Sequence, residues 1–198
     1  MTMPEDLVEL GRVVAAYGVR GLIKVQPHSS DAEALLAAKT WWLRAPLPPG
    51  RLGALPVAVP YQVVNSRAHA DTVVAQLENL SDRNLAEALK AHTVWIPRSE
   101  FPAAGEDEYY WIDLVGCRLF GEHEGGPLLI GIVANVIDNG AHAVLQVQRH
   151  TEDERGELVP VLTEKGKIKE VLVPFVAAHV HTVDLPHKRL ESNWPVEF

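Results

Sequence analysis

His179 and His181 stand two residues apart in a stretch that reads as a strand, so both rings would leave one face of a sheet. Two imidazoles placed this way hold a metal ion only when a third ligand arrives from elsewhere. Asp184, the nearest carboxylate, lies an odd number of positions from His179, which does not suit such a centre. Cys117 is the single cysteine, which excludes an internal disulfide and any multi-cysteine zinc site. A nucleophilic thiol needs exposure and an activating base, whereas Val115-Gly116-Cys117-Arg118-Leu119 reads as a buried strand. No glycine-rich loop follows a strand and opens a helix, so nucleotide binding has no support. The sequence therefore predicts no catalytic residue, no metal site and no cofactor.

A different chemistry is written at residues 106–116, Glu-Asp-Glu-Tyr-Tyr-Trp-Ile-Asp-Leu-Val-Gly. Three acids, three consecutive aromatics and a further acid follow a Pro/Ala/Gly stretch where a linker would end. Three adjacent aromatics cannot all face one core from a strand, so at least one of Tyr109, Tyr110 and Trp111 is expected to be exposed or held at a domain junction. Aromatics with an acidic rim, including Asp113, suit a partner-docking surface better than a catalytic centre. A second cluster lies near the start. Gly11, Gly18 and Gly21 set loop geometry, with positive φ expected at Gly18 and Gly21. Arg12, Arg20 and Lys24 surround that turn, as ordinary solvated charges or as contacts to RNA phosphates from a rigid loop.

The elements that would position these residues are mostly short strands. In the first half they are read at 8–14, 22–26, 40–44, 57–64, 72–77 and 93–97, separated by turn formers. Six strands in under 100 residues suggest a closed barrel, which leaves no open edge. Short helices are expected at 31–39 and at 81–91, the latter with Ser81 as N-cap. Trp41-Trp42 should place one ring on each face of its strand, one of them exposed or covered by the loop at 45–60. In the second half strands are read at 115–120, 128–136, 143–148, 157–162, 169–173 and 179–184. Asp138-Asn139-Gly140 signals a primed-turn hairpin, and 149–157 an exposed, charged hairpin tip. The fold class is thus all-β in the main, two small β-barrels with one or two short helices. The expected boundaries are a barrel at 1–97, a linker at 98–107, a barrel at 108–186 and a tail at 187–198.

Composition narrows the function. The chain has 198 residues, 47% of them apolar and 22% charged, an ordinary soluble make-up. No apolar run approaches the roughly 20 residues that span a bilayer, and the start lacks a basic-then-apolar signal. A reducing, cytoplasmic setting and no membrane partner are expected, as is a monomer. Residues 1–100 hold ten basic and ten acidic side chains; residues 101–198 hold eight and sixteen, which accounts for the whole net charge of −8. The acidic half would repel RNA at long range and attract a basic partner.

Taken together and in order, these segments resemble the RimM family of ribosome maturation factors. The resemblance rests on Gly11-Arg12-Val13 with Gly18-Val19-Arg20-Gly21, on the helix at 80–91, and on the aromatic motif at 106–116. Gly131-Ile132-Val133, Leu172-Val173-Pro174-Phe175-Val176 and Val183-Asp184-Leu185 complete it. It covers nearly the whole chain, and Glu-Tyr-Tyr-Trp-x-Asp-Leu-x-Gly is its most specific part. The resemblance implies a translation-factor-like barrel, then a PRC-type barrel. It implies a non-enzymatic assembly factor that binds the immature small ribosomal subunit near its head, contacts a head protein there and helps head proteins and rRNA settle. It also implies that Tyr109 and Tyr110 take part in that association. The charge reading makes the head protein a basic one, with head rRNA as a further candidate partner for Arg12, Arg20 and Lys24. Two features depart from the family pattern: Tyr17 stands where many relatives have His, and 148–170 is long and charged. There Leu158-Val159-Pro160 echoes Leu172-Val173-Pro174. A PRC-barrel adaptor unconnected with ribosomes is the alternative reading.

Overall fold

The computed structural model describes residues 2–29, 32–48, 53–105 and 108–196. The chain forms two compact units, Met1–Ala103 and Ala104–Phe198, each with its own hydrophobic core. Most described residues that lie in regular structure are in strands, with short helices between them.

The first unit contains β1 (Leu7–Tyr17), β2 (Leu22–Pro27), α1 (Glu33–Ala37), β3 (Thr40–Arg44), β4 (Val59–His69), β5 (Thr72–Leu77), α2 (Arg83–Ala88) and β6 (Thr93–Pro97). Its strands close a barrel in the order β1-β2-β5-β4-β3-β6, with β6 returning to β1. Alternate residues of each strand fill the interior: Val13, Ile23, Val25, Leu43, Val73, Ala75, Leu77, Val94 and Ile96 are all 0–1% exposed. Trp41 joins them, its indole N–H donating to the Leu35 carbonyl at 3.1 Å. Trp42 faces the other way, yet is buried too, flanked in register by Pro60 and Trp95.

Both eleven-residue strands of this unit carry β-bulges. In β1 the register shifts between Val13 and Ala15, and in β4 between Val63 and Asn65. A bulge adds one residue to one strand, so alternation changes face there. Val13 points inward while Tyr17, of the same parity, points outward; Tyr61 and Val63 pack on the core while Asn65, Arg67 and His69 do not. The helix expected at 81–91 is shorter than that. Asp82 rather than Ser81 caps it, its carboxylate accepting from the backbone N–H of Asn84 at 2.8 Å and Leu85 at 3.0 Å. Asp31, in the expected first helix, lies outside the described residues.

The stretch read as a linker from residue 98 belongs in part to the barrel. Arg98–Glu100 is a single 3-10 turn tied to Asp6, whose backbone carbonyl accepts from Arg98 and whose carboxylate accepts from Ser99 at 2.8 Å. Phe101 packs on the first core.

The second unit contains α3 (Trp111–Leu114), β7 (Arg118–Glu122), β8 (Leu128–Asp138), β9 (Ala143–Glu152), β10 (Leu158–Pro160), β11 (Glu170–Pro174), β12 (Val180–Asp184) and β13 (Arg189–Pro195). They form one seven-stranded sheet, ordered β10-β9-β8-β7-β13-β12, with β11 also on β9. Residues of β7, β8, β9, β11, β12 and β13 share a single core, so the sheet curls around it. The segment 187–198, expected as a tail, instead supplies β13, which lies parallel to β7 and antiparallel to β12. One of its inward positions is Ser192, 2% exposed, whose hydroxyl donates to the Phe120 carbonyl at 2.8 Å. A serine there breaks the apolar alternation by which a strand is recognised. The β8–β9 connection spans four residues instead of a two-residue primed turn, with the Asn139 carboxamide oxygen accepting from Ala141 and His142 at 2.9 Å.

The segment 148–170 has a simple plan. β10 and β11 lie in series along the same edge of β9: Glu170–Pro174 faces Val144 to Gln148, and Leu158–Pro160 faces His150 to Glu152. Residues 161–169 leave this line as a small hairpin, closed by the Leu162–Ile168 bridge. The repeated Leu-Val-Pro therefore marks two pieces of one interrupted edge strand.

At the β1–β2 turn, Gly18 and Gly21 have φ of +69° and +76°. A Cβ at Gly18 would meet open space, whereas one at Gly21 would lie 2.5 Å from the Leu80 carbonyl oxygen. Gly18→Ala should cost about 1 kcal/mol, the strain of a left-handed backbone alone. Gly21→Ala should cost about 3 kcal/mol, because the Leu80–Asp82 backbone must also move. Urea unfolding of the two variants checks this ordering, and equal costs would mean that the approach to Leu80 is not tight.

Candidate docking and RNA-contact sites

The aromatic motif folds as a turn of helix, not a strand. Tyr110, extended at φ −70°, precedes α3, and the Asp113 N–H donates back to its carbonyl at 2.9 Å. Leu114 and Cys117, both 0% exposed, anchor the segment in the second core. Tyr109 and Trp111 pack on that core, and the Tyr109 ring meets Phe175 edge-to-face at 5.9 Å. Tyr109, Tyr110 and Trp111 are all half-buried, so of the two expectations, exposure or a place at a domain junction, full exposure is not met by any of them. Ile112 is the exposed apolar side chain of the motif, at 44%. Glu106 and Asp107 lie outside the described residues.

A cation holds the end of the turn. Lys188, left-handed at φ +52°, directs its ammonium to the Asp113 carbonyl at 2.9 Å and the Val115 carbonyl at 3.5 Å. These carbonyls carry the negative end of the turn, where a cation is favoured. Its own carbonyl accepts from Arg118, fixing the start of β7. In the preceding turn, His187 Nδ1 lies 2.8 Å from the Asp184 carboxylate. That hydrogen bond holds the Asp184 pKa below the usual carboxylate value. Burial pushes the Cys117 thiol up, so it stays protonated and unreactive. His179 is turned to Asn193 and the Trp194 ring, and His181 to Thr182; the pair does not converge.

In the first unit, Arg12 on β1 and Arg20 in the β1–β2 turn are exposed, and Lys24 on β2 is half-buried. Gly11 lies where a Cβ would come within 2.7 Å of the Gln26 carbonyl oxygen, so β1 and β2 approach closely beside Arg12. The structure adds three residues to this group. The Lys24 ammonium lies 5.6 Å and the Arg67 guanidinium 5.9 Å from the centre of the Tyr17 ring. The Tyr17 hydroxyl is 3.3 Å from His69 Nε2, with the rings edge-to-face at 5.2 Å. Tyr17, Arg67 and His69 share the parity of inward residues, so only the bulges reveal their outward placement.

Comparison with known proteins gives this geometry a class. Residues 8–101 match the RimM N-terminal domain and residues 111–198 match the RimM PRC barrel domain, which makes the chain a two-domain protein of β-barrel type. Ribosome maturation factor RimM of Bordetella avium is 50% identical, over 99% of this chain and 97% of that protein. The same factor from Cupriavidus taiwanensis is 48% identical, over 99% of this chain and 89% of its own. The crystal structure of a 16S ribosomal RNA processing protein, RimM, from Pseudomonas aeruginosa is 28% identical. It covers 98% of this chain and 100% of that one, with a TM-score of 0.41. The chain belongs to the RimM family of ribosome maturation factors.

Two measurements test the clamp on α3. Lys188→Met should lower stability by about 0.5 to 1 kcal/mol and change the fluorescence of Trp111 in a Trp-replaced background. An unchanged Trp111 signal would mean that the cation does not hold the turn. Asp184 has a depressed folded-state pKa, so its contribution is complete above the ordinary carboxylate value, about 4, and is lost as pH falls through the lower folded value. Asp184→Asn should therefore flatten the loss of urea resistance below about pH 4 and leave other acid-sensitive terms in place.

Proposed function

We propose that this protein is a non-enzymatic assembly factor that binds the immature small ribosomal subunit near its head. It docks on a basic head ribosomal protein, acts as a monomer in the cytoplasm, and assists head assembly and rRNA processing. The observation that carries the reading is the acidic surplus of the second half, sixteen acids against eight bases in residues 101–198. Part of that surplus lines an open cleft, where Glu122, Glu124 and Glu191 stand with His123, His181 and Phe120. Such a cleft suits the cationic surface of a ribosomal protein and disfavours bare RNA.

Tyr109, Tyr110, Trp111 and Asp113 supply a further contact surface, with Ile112 as its exposed apolar point. Arg12, Arg20 and Lys24 in the first unit would meet nearby rRNA, with Gly11, Gly18 and Gly21 holding their loop. The two halves thus divide the work, protein recognition to the acidic unit and rRNA contact to the other.

Tyr110→Ala with Ile112→Asp should weaken binding to immature small subunits at least tenfold, about 1.4 kcal/mol, in a sedimentation assay. Tyr109→Ala is the less clean variant because Tyr109 also packs on Phe175. Unchanged affinity in a folded variant would sink the docking assignment. Neutralising Glu122, Glu124 and Glu152 to Gln should slow association and flatten its salt dependence. An unaltered on-rate at low salt would mean that charge does not steer the encounter.

A further inference from the structure

We propose that the outward face shared by β1, β2, β5 and β4, centred on Tyr17, Lys24, Arg67 and His69, binds the phosphate backbone of RNA. The inference deepens the rRNA contact in the proposed function and rests on it. In register, Ala15, Lys24, Val74 and Arg67 form one outward row across the four strands, and the pairs Arg12–Gln26 and His69–Thr72 flank it on one side. The pairs Tyr17–Leu22 and Asn65–Gln76 flank it on the other. None of these positions is acidic. The nearest acid along the strands is Asp71 in the β4–β5 turn, whose backbone carbonyl accepts from the Gln26 carboxamide at 3.1 Å.

Half of the charged groups in residues 1–100 are acids, so an acid-free face is a segregation of charge. Several of the acids are occupied elsewhere: Glu9 with His28, Glu87 with Arg83, Asp82 capping α2, and Asp6 on Ser99. Arg12, Arg20, Lys24 and Arg67 are not ion-paired with any described carboxylate. Lys24 and Arg67 rest over one aromatic ring, which limits their rotamers before any ligand arrives and lowers the entropy lost on binding.

The chemistry favours RNA over an acidic protein segment. A protein interface needs an exposed apolar centre, and Val74, in the middle of this face, is 1% exposed. Its register neighbours are Lys24 and Arg67, whose cations lie over the Tyr17 ring, so that ring is committed and does not offer a free face for base stacking. What remains is cationic and amide groups, Arg12, Lys24, Arg67, His69, Gln26, Gln76 and Asn65, the set that contacts phosphate and sugar without reading sequence.

The test uses the full-length chain and a naked 16S rRNA transcript. Lys24→Gln with Arg67→Gln should weaken binding about tenfold and reduce the slope of log affinity against log salt by about 1.5, the release expected for two phosphate contacts. Lys24→Arg with Arg67→Lys should keep both, and unfolding midpoints should match the parent. An unchanged affinity and slope in the Gln variant overturns the proposal. So does a polyglutamate peptide whose binding depends on the Lys24/Arg67 pair while transcript binding does not. Sedimentation with immature small subunits, run in parallel, tests the proposed function separately. Failure of the parent chain to bind them removes that reading, while the transcript titration still decides this one.

Discussion

Six short strands close into a barrel only if the longest of them turn corners, and here both corners are made by bulges. β1 pairs with β6 through its first half and with β2 through its second. β4 hands over in the same way from β3 to β5, and its bulge falls at the handover, between Val63 and Asn65. An extra residue sharpens the local bend and twist, which is what a strand serving two neighbours in a closed sheet needs. The interior of the first unit, the approach of the Gly18–Gly21 turn to Leu80, and the outward placement of Tyr17, Arg67 and His69 all follow from those corners.

The second unit solves a different problem, holding a single helical turn in place. Four residues of helix cannot support themselves, because nucleation costs more than one turn returns. α3 is held from beneath by Leu114 and Cys117 and at its end by the Lys188 ammonium. The last strand completes the arrangement. β13 enters parallel to β7 and is secured by the Ser192 hydroxyl, so the chain's final described residues belong to the core.

The strands at 40–44, 72–77 and 93–97 were legible to the residue, since each is a β-branched or aromatic run between turn formers. β13 was not, because its inward Ser192 is paired by a hydrogen bond that only the tertiary fold supplies. Asp82 capped α2 in place of its neighbour Ser81, a one-residue choice settled by the direction in which the carboxylate reaches two N–H groups. The aromatic motif was legible as a special segment but not as a helix, since its aromatics are divided between core contact and partial exposure by one turn. The charged face of the first unit was hidden by parity. Arg67 and His69 alternate in step with Tyr61 and Val63, and nothing local announces the added residue between them.

Val64 is 61% exposed and takes no part in the core. Its contribution is to be counted, not to be any particular side chain. A position of that kind tolerates exchange of its residue type, yet its removal would carry every residue from Asn65 to His69 to the opposite side of the sheet. The lineage of such a surface is therefore constrained by chain length at one point and by chemistry several residues away. Variation of the two need not travel together.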